Sequence, residues 1–129
     1  MTRVVRRGGL YLADLNPRRG TEPGKARPVL VMQTDLLNGV GHPSTFVLPC
    51  TSRMVGESLL RVHLPRRIAG NPIECEVMID QGRAIDNRRF RRRLGSMPRE
   101  LMRDVDEKLL RLLDLVSPSE AGSSAWRRA

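Results

Sequence analysis

The sequence predicts a mainly β domain with a C-terminal helix (α+β), in which a small, strongly bent sheet or barrel carries one packed helix. Three observations lead there. Short runs of β-branched and aliphatic residues recur as far as Gly95, each bounded by Gly, Pro or Asn clusters. Over residues 98–116 the apolar period changes, with Leu101, Val105, Leu109, Leu112 and Val116 at intervals of four, four, three and four. That spacing draws one face of a helix. The length, 129 residues, suits a single core that buries roughly two thirds of the surface of the unfolded chain.

The elements follow in order. "GGLYLADL" (residues 8–15) has strand character, with Leu10, Leu12 and Leu15 as core candidates. Residues 16–26 form a loop by composition, punctuated by Pro and Gly. Pro28 biases Arg27 towards extended backbone and opens a strand that runs to about Gln33. "TDLLNGVGHPS" reads as a helical turn and a loop, "TFVLPC" as a third strand and "SLLRVHL" as a fourth. In "IECEVMIDQ", Ile73, Cys75, Val77 and Ile79 share one parity and should face one side of a strand. A short strand "RAID" and the arginine-rich "NRRFRRRLG" lead to the helix, with Pro98 near its start and Ser96 as the expected cap. The domain is expected over residues 1–116. Residues 117–129, polar and small, are expected to be a disordered tail.

Charge narrows the function. The 23 Lys and Arg outweigh 14 Asp and Glu, for a net charge of +9, and 21 of those cations are arginine. Arginine's planar fork suits bidentate contact with phosphate, so a polyanion is the expected partner, nucleic acid ahead of a membrane surface. A GC-rich genome would also enrich arginine. No apolar run approaches the roughly 18 residues of a membrane span, and the basic N-terminus lacks the apolar stretch of a signal peptide. A cytoplasmic protein is expected. Cys50 and Cys75 lie far apart in sequence, without a CxxC pair and with only two histidines in the chain, so no metal or other cofactor is expected. Each reads as a small buried hydrophobe, with a disulfide between them as the lesser alternative.

The stretch "RRGTEPGKARPVLVM" delivers a carboxylate, Glu22, and an arginine, Arg27, to the mouth of a strand. Together with "LPCTSR", "EVMIDQGRAID" and "MPRELMRDVDEKLLRLLDL", it resembles, in order and at similar spacing, the signature blocks of the MazF/PemK/Kid toxin family. The resemblance covers about residues 7 to 115. It implies a small SH3-like barrel of the CcdB/MazF type, a homodimer, and metal-independent, sequence-selective cleavage of single-stranded RNA, most often mRNA. It also implies a cognate antitoxin protein as partner.

Cleavage by an adjacent 2′-hydroxyl needs a proton acceptor, positive charge for the phosphorane and a proton donor for the leaving 5′ oxygen. The resemblance assigns Arg27, in the family's "RP" motif, to charge stabilisation. It gives Thr51, at the end of a "P-x-T-S" strand, a positioning role, since an unassisted threonine is a poor base. Ser52 and Arg53 follow as phosphate or base contacts. Glu22 matches a loop glutamate near the cleft, with three roles open to it: orienting Arg27, accepting a proton, or reading a base. Thr21 stands where several relatives have histidine, so histidine chemistry does not carry over, and it is left as a substrate contact. Asp80 and Gln81 match an acidic–Gln pair that serves some members as general base and RNA contact. Met78 replaces the arginine that acts there as general acid. Neither His42 nor His63 falls on a catalytic motif.

"RRFRRR" is the densest cation cluster and reads either as a phosphate track, a solvated basic face or a surface for an acidic antitoxin tail. With one Tyr, two Phe and one Trp in the chain, base recognition should lean on hydrogen bonds and arginine stacking. Two rival readings remain: a gyrase-poisoning protein on the same barrel, and a non-catalytic RNA-binding module.

Overall fold

The structure is a computed structural model that describes residues 4–16, 20–21 and 25–115. Its strands are β1 (Gly9–Asp14), β2 (Ala26–Val31), β3 (Ser44–Thr51), β4 (Arg61–Leu64), β5 (Cys75–Met78), β6 (Arg83–Asp86) and β7 (Phe90–Ser96). A short helix α1 (Asp35–Gly39) joins β2 to β3, and α2 (Arg99–Leu112) closes the described chain. Every strand pairing is antiparallel, in the order β4-β5-β3-β2-β1-β7, with β6 beside β3. Among the described residues no helix is long and apolar enough to cross a membrane.

β3 is the spine. One edge of it pairs with β2 through Val47–Pro49. The other edge pairs first with β6, through Ser44–Val47, and then with β5, through Cys50 and Thr51. Changing partners along one edge bends the sheet, and the bend turns the end of β3 away from its start.

The central strands are buried on both faces, so their alternation separates two cores. Leu10, Leu30, Leu48, Val77 and Ile79 meet Val105 of α2 in one core. Tyr11, Ala13, Val29, Val31 and Val47 point the other way and join Val5, Leu15, Ile85 and Phe90. There Tyr11 and Phe90 meet edge to face, with ring centroids 5.4 Å apart, a favoured aromatic geometry. Leu12 does not enter a core as expected. It is half-buried and lines a cleft instead, because β1 runs past the end of the first core at that point. The parity read in "IECEVMIDQ" holds for Cys75, Val77 and Ile79, but Ile73 is 56% exposed because it precedes the strand.

The bent sheet is closed at a backbone contact that only glycine permits. Gly70 has φ +82°, and a Cβ there would sit 2.0 Å from the carbonyl oxygen of Leu94. Opposite it, a Cβ on Gly95 would lie 2.4 Å from the Ala69 carbonyl oxygen. The turn before β5 thus lies directly on β7.

α2 places Val105 in the core and rests Leu101, Met102 and Leu109 against it. Leu112, the next member of the stripe, is 43% exposed, and Val116 lies outside the described residues, as does the 117–129 tail. Ser96 is not the cap: it ends β7, and its hydroxyl accepts from the Arg93 guanidinium. Pro98 occupies the cap position without a side-chain bond. Its fixed φ suits a helix entry.

A buried carboxylate organises the β3–β4 connection. Glu76 is 1% exposed and accepts from the Val55 N–H at 3.1 Å, the Gly56 N–H at 3.0 Å and Arg61 Nη1 at 2.8 Å. Arg61 also donates to the Arg53 carbonyl, while Lys108 of α2 donates to the carbonyls of Ser58 and Arg61. Burial pushes the Glu76 pKa up, but the two N–H groups and the Arg61 guanidinium outweigh it and hold it below the ordinary value. The carboxylate's contribution is therefore complete above the unfolded pKa, near 4.5, and is lost as pH falls through the lower folded value. Glu76→Gln should destabilise the fold by about 3 kcal/mol at neutral pH, because Arg61 keeps its charge without a counter-ion. Urea unfolding across pH should also show a weaker loss of stability on acidification in that variant than in the wild type.

Candidate active site

Arg27 is the second residue of β2 and Thr51 the last of β3. The β2–β3 register pairs Val29 with Pro49. The ladder ends there, and continuing its register past the last pair runs Arg27 towards Thr51, the two lining one cleft. Pro28, paired with Leu12 of β1, keeps the Arg27 backbone extended, and Arg27 itself pairs with Ala13. The half-buried guanidinium donates from Nη1 to the carbonyl of Cys50 at 3.3 Å. It is thus tied to the peptide unit that leads into Thr51.

Thr51 Oγ1 accepts the backbone N–H of Arg53 at 3.1 Å. This tight turn at the strand end fixes the hydroxyl oxygen and leaves its proton as a donor. Behind the turn, the Glu76–Arg61 pair holds the following loop from Arg53 to Gly56. The hydroxyl is therefore set by β3 on one side and by an anchored loop on the other.

Arg27, Thr51 and Ser52 line one cleft of about 260 Å³, together with Lys25 and Arg92. Leu12, Leu94, Pro72 and Ile73 supply apolar wall, and Cys50 and Cys75 also reach it. Three cations, a fixed hydroxyl and apolar surface at one concavity form a site for an anion that carries a flat or apolar body. Among the described residues no cluster of three or more His, Cys, Asp or Glu forms a metal-ligand set.

Other predicted site residues lie elsewhere. Arg53 is exposed and contributes backbone groups to the turn, but its side chain is not among those lining the cleft. Asp80 and Gln81 sit on a 3-10 turn, Ile79–Gln81, which packs beside α2. Asp80 is exposed, and neither residue lines the cleft. Thr21 is exposed and also outside the lining, and Glu22 lies outside the described residues. His42 Nδ1 is 2.9 Å from the Ser44 carbonyl, and His63 Nε2 is 2.5 Å from Glu74. Both histidines have structural partners away from the cleft.

Sequence reasoning missed Arg92 as an individual residue. It belongs to the arginine cluster, but only the β1–β7 register, which pairs it with Leu12, turns it to the cleft. Its neighbours are engaged otherwise: Arg88 with Asp86, Arg89 with the carbonyls of Asp14 and Asn16, Arg91 with Asp14, and Arg93 with Ser96. The sequence reads the cysteines as core filler. They are buried, but their place in the cleft wall follows from the bend of β3, which no local pattern records.

Residues 6–113 match the family described as PemK-like, MazF-like toxin of type II toxin-antitoxin system. Endoribonuclease EndoA of Bacillus subtilis (strain 168) is 33% identical over 114 residues, which span 88% of this chain and 97% of that protein. MazF from Deinococcus radiodurans superposes with a TM-score of 0.76 at 31% identity, covering 88% of this chain and 99% of the other. A MazE-MazF structure from the same organism gives 0.71 at 29% identity, with 88% and 100% covered. The strand order, the single closing helix and these matches agree, and the chain belongs to the PemK-like, MazF-like toxin family of type II toxin–antitoxin systems.

Proposed function

We propose that this chain is an endoribonuclease toxin that cuts single-stranded RNA, mRNA foremost, by attack of a 2′-hydroxyl on the neighbouring phosphate. The observation that carries this reading is the Arg27–Cys50 carbonyl bond, which ties the guanidinium to the peptide leading into Thr51 within one cleft. The family membership and the 33% identity to an endoribonuclease support it.

In this mechanism the 2′-oxygen bonds to phosphorus as its proton leaves, and charge builds on the non-bridging oxygens. Arg27 meets that charge with its guanidinium, and Thr51 donates its hydroxyl proton to the same phosphate. The P–O5′ bond then breaks as the 5′ oxygen takes up a proton, giving a 2′,3′-cyclic phosphate and a free 5′-hydroxyl. For the proton acceptor, Glu22 is favoured over Asp80: the family resemblance assigns it to the cleft and it precedes Arg27 closely in sequence, whereas Asp80 is outside the cleft lining. Ser52, Lys25 and Arg92 bind the flanking phosphates. The partner is a cognate antitoxin protein, as in the MazE-MazF assemblies of Deinococcus radiodurans, and the working form is a cytoplasmic homodimer. The gyrase-poisoning reading makes no use of a guanidinium and a hydroxyl in one cleft, and a non-catalytic RNA-binding module would hold RNA there without producing 5′-hydroxyl ends.

Cleavage of a single-stranded RNA in EDTA, followed by mapping of 5′-hydroxyl ends, tests the assignment. Arg27→Ala should lose about 10²–10³-fold in rate, as expected when one preorganised donor is removed from a developing anion. Thr51→Val should lose roughly a hundredfold through mispositioning. Both variants should keep the wild-type circular dichroism spectrum. Wild-type rates in Arg27→Ala would overturn the mechanism.

Binding to a non-cleavable 2′-deoxy analogue should weaken as salt rises. Arg92→Ala should reduce the slope of log K against log salt by about 0.7, the value for one lost contact to a single strand. An unchanged slope would remove Arg92 from the RNA path.

A further inference from the structure

We propose that Cys50 and Cys75 form an oxidation site in the wall of the cleft, where a peroxide links them as a reversible disulfide and stops RNA cleavage. The regulatory half of this inference rests on the nuclease reading above. The oxidation site itself does not.

The register places the two cysteines. β3 and β5 pair Cys50 with Val77 and Thr51 with Glu76, so Cys75 lies diagonally across the ladder end from Cys50. Both side chains fall in the same core and reach the same cleft. Both are free thiols, and the interaction between them shapes the acidity of each. The cleft holds about 260 Å³, several times the roughly 30 Å³ that a water occupies in the liquid, so a small peroxide fits against the sulfurs.

The pair is chemically uneven. The interaction with Cys75 and then burial push the Cys50 thiol well above its ordinary pKa. The interaction with Cys50 pulls Cys75 the other way, against burial and the charges of Glu74 and Glu76. The Asn71 amide also points Nδ2 at Cys75 Sγ, 3.9 Å away. Cys75 is thus the better nucleophile and Cys50 the resolving thiol. In the first step the Cys75 sulfur attacks one peroxide oxygen, the O–O bond breaks, and sulfenic acid and hydroxide form. In the second, the Cys50 sulfur displaces the sulfenic hydroxyl, its proton leaves with that group as water, and the S–S bond closes. Both sulfurs are oxidised, and one peroxide is reduced to water.

The link to activity is the backbone of Cys50. Its carbonyl accepts the Arg27 guanidinium, and the next residue is Thr51. Diagonal neighbours on antiparallel strands stand about 7–8 Å apart, whereas a disulfide draws its Cα atoms to about 5.5–6 Å. Closing the bond therefore pulls the end of β3 towards β5 and carries the carbonyl and the hydroxyl with it. A displacement of about 1 Å at a reacting centre costs on the order of a hundredfold.

The test uses the purified full chain, fully reduced and then treated with hydrogen peroxide. Peptide mapping reads the disulfide, and a single-stranded RNA substrate reads the rate. The expected result is a Cys50–Cys75 linked peptide with a rate loss of roughly a hundredfold, both reversed by dithiothreitol. In Cys75→Ala the ratio of rates with and without peroxide should stay near one. Should that variant fail to fold, Cys75→Ser and Cys50→Ala give the same ratio test. Absence of the linked peptide overturns the oxidation site. A linked peptide with undiminished cleavage overturns the regulatory half, and so does an equal loss in Cys75→Ala, which would assign the damage to methionine. A reduced wild-type protein that cuts no RNA overturns the nuclease reading instead, while the linked peptide still decides the oxidation site.

Discussion

The site depends on the pairing of β2 with β3. Arg27 and Thr51 are far apart in sequence, and neither carries an instruction to meet the other. What brings them together is a ladder that must be in register, because a slip by one residue would exchange the two faces of each strand. Here both faces are buried: Leu30 and Leu48 belong to one core, Val29, Val31 and Val47 to the other. The position of the guanidinium beside the strand-end hydroxyl is thus a by-product of packing some distance away.

The polar framework around the site follows the same logic. Thr51 ends a strand, and strand ends normally fray into mobile connections. This one is drawn back by Glu76, which spends its burial on two backbone N–H groups and Arg61, while Lys108 reaches from α2 to the same connection. The helix therefore does more than cover a core. It braces the loop that follows the hydroxyl, and the charges that achieve this are mostly hidden from solvent.

Much of the architecture was legible in the sequence because local chemistry dictated it. Shared parity located β5, and the switch in spacing after Pro98 announced α2, whereas β2 begins at Ala26, two residues ahead of the start that Pro28 suggests and inside the stretch read as loop. Arg27 and Thr51 were legible through motifs that couple each to a strand boundary. What escaped was what depends on bending and pairing. Leu12 has the composition of a core residue, yet the path of β1 leaves it on the cleft wall. Ser96 has the side chain of a cap but was claimed by β7. Glu76 looks like a solvent-facing charge until the loop it serves is folded over it. Asp80 followed a family motif to a turn beside α2, outside the cleft lining, since Met78 already ends β5 before it.

The glycine contact between the β4–β5 turn and β7 has a consequence for how this fold can vary. Where two backbones touch without intervening side chains, the spacing is set by main-chain atoms alone, at Gly70 and Gly95. An exposed neighbour such as Ile68 is free to differ among descendants of this gene, but the number of residues in the turn is not. An added residue would lift the seam, and the cleft wall built from Pro72, Ile73 and Leu94 would part along it. Divergence at this end of the molecule should therefore proceed by exchange of side chains and not by insertion or deletion.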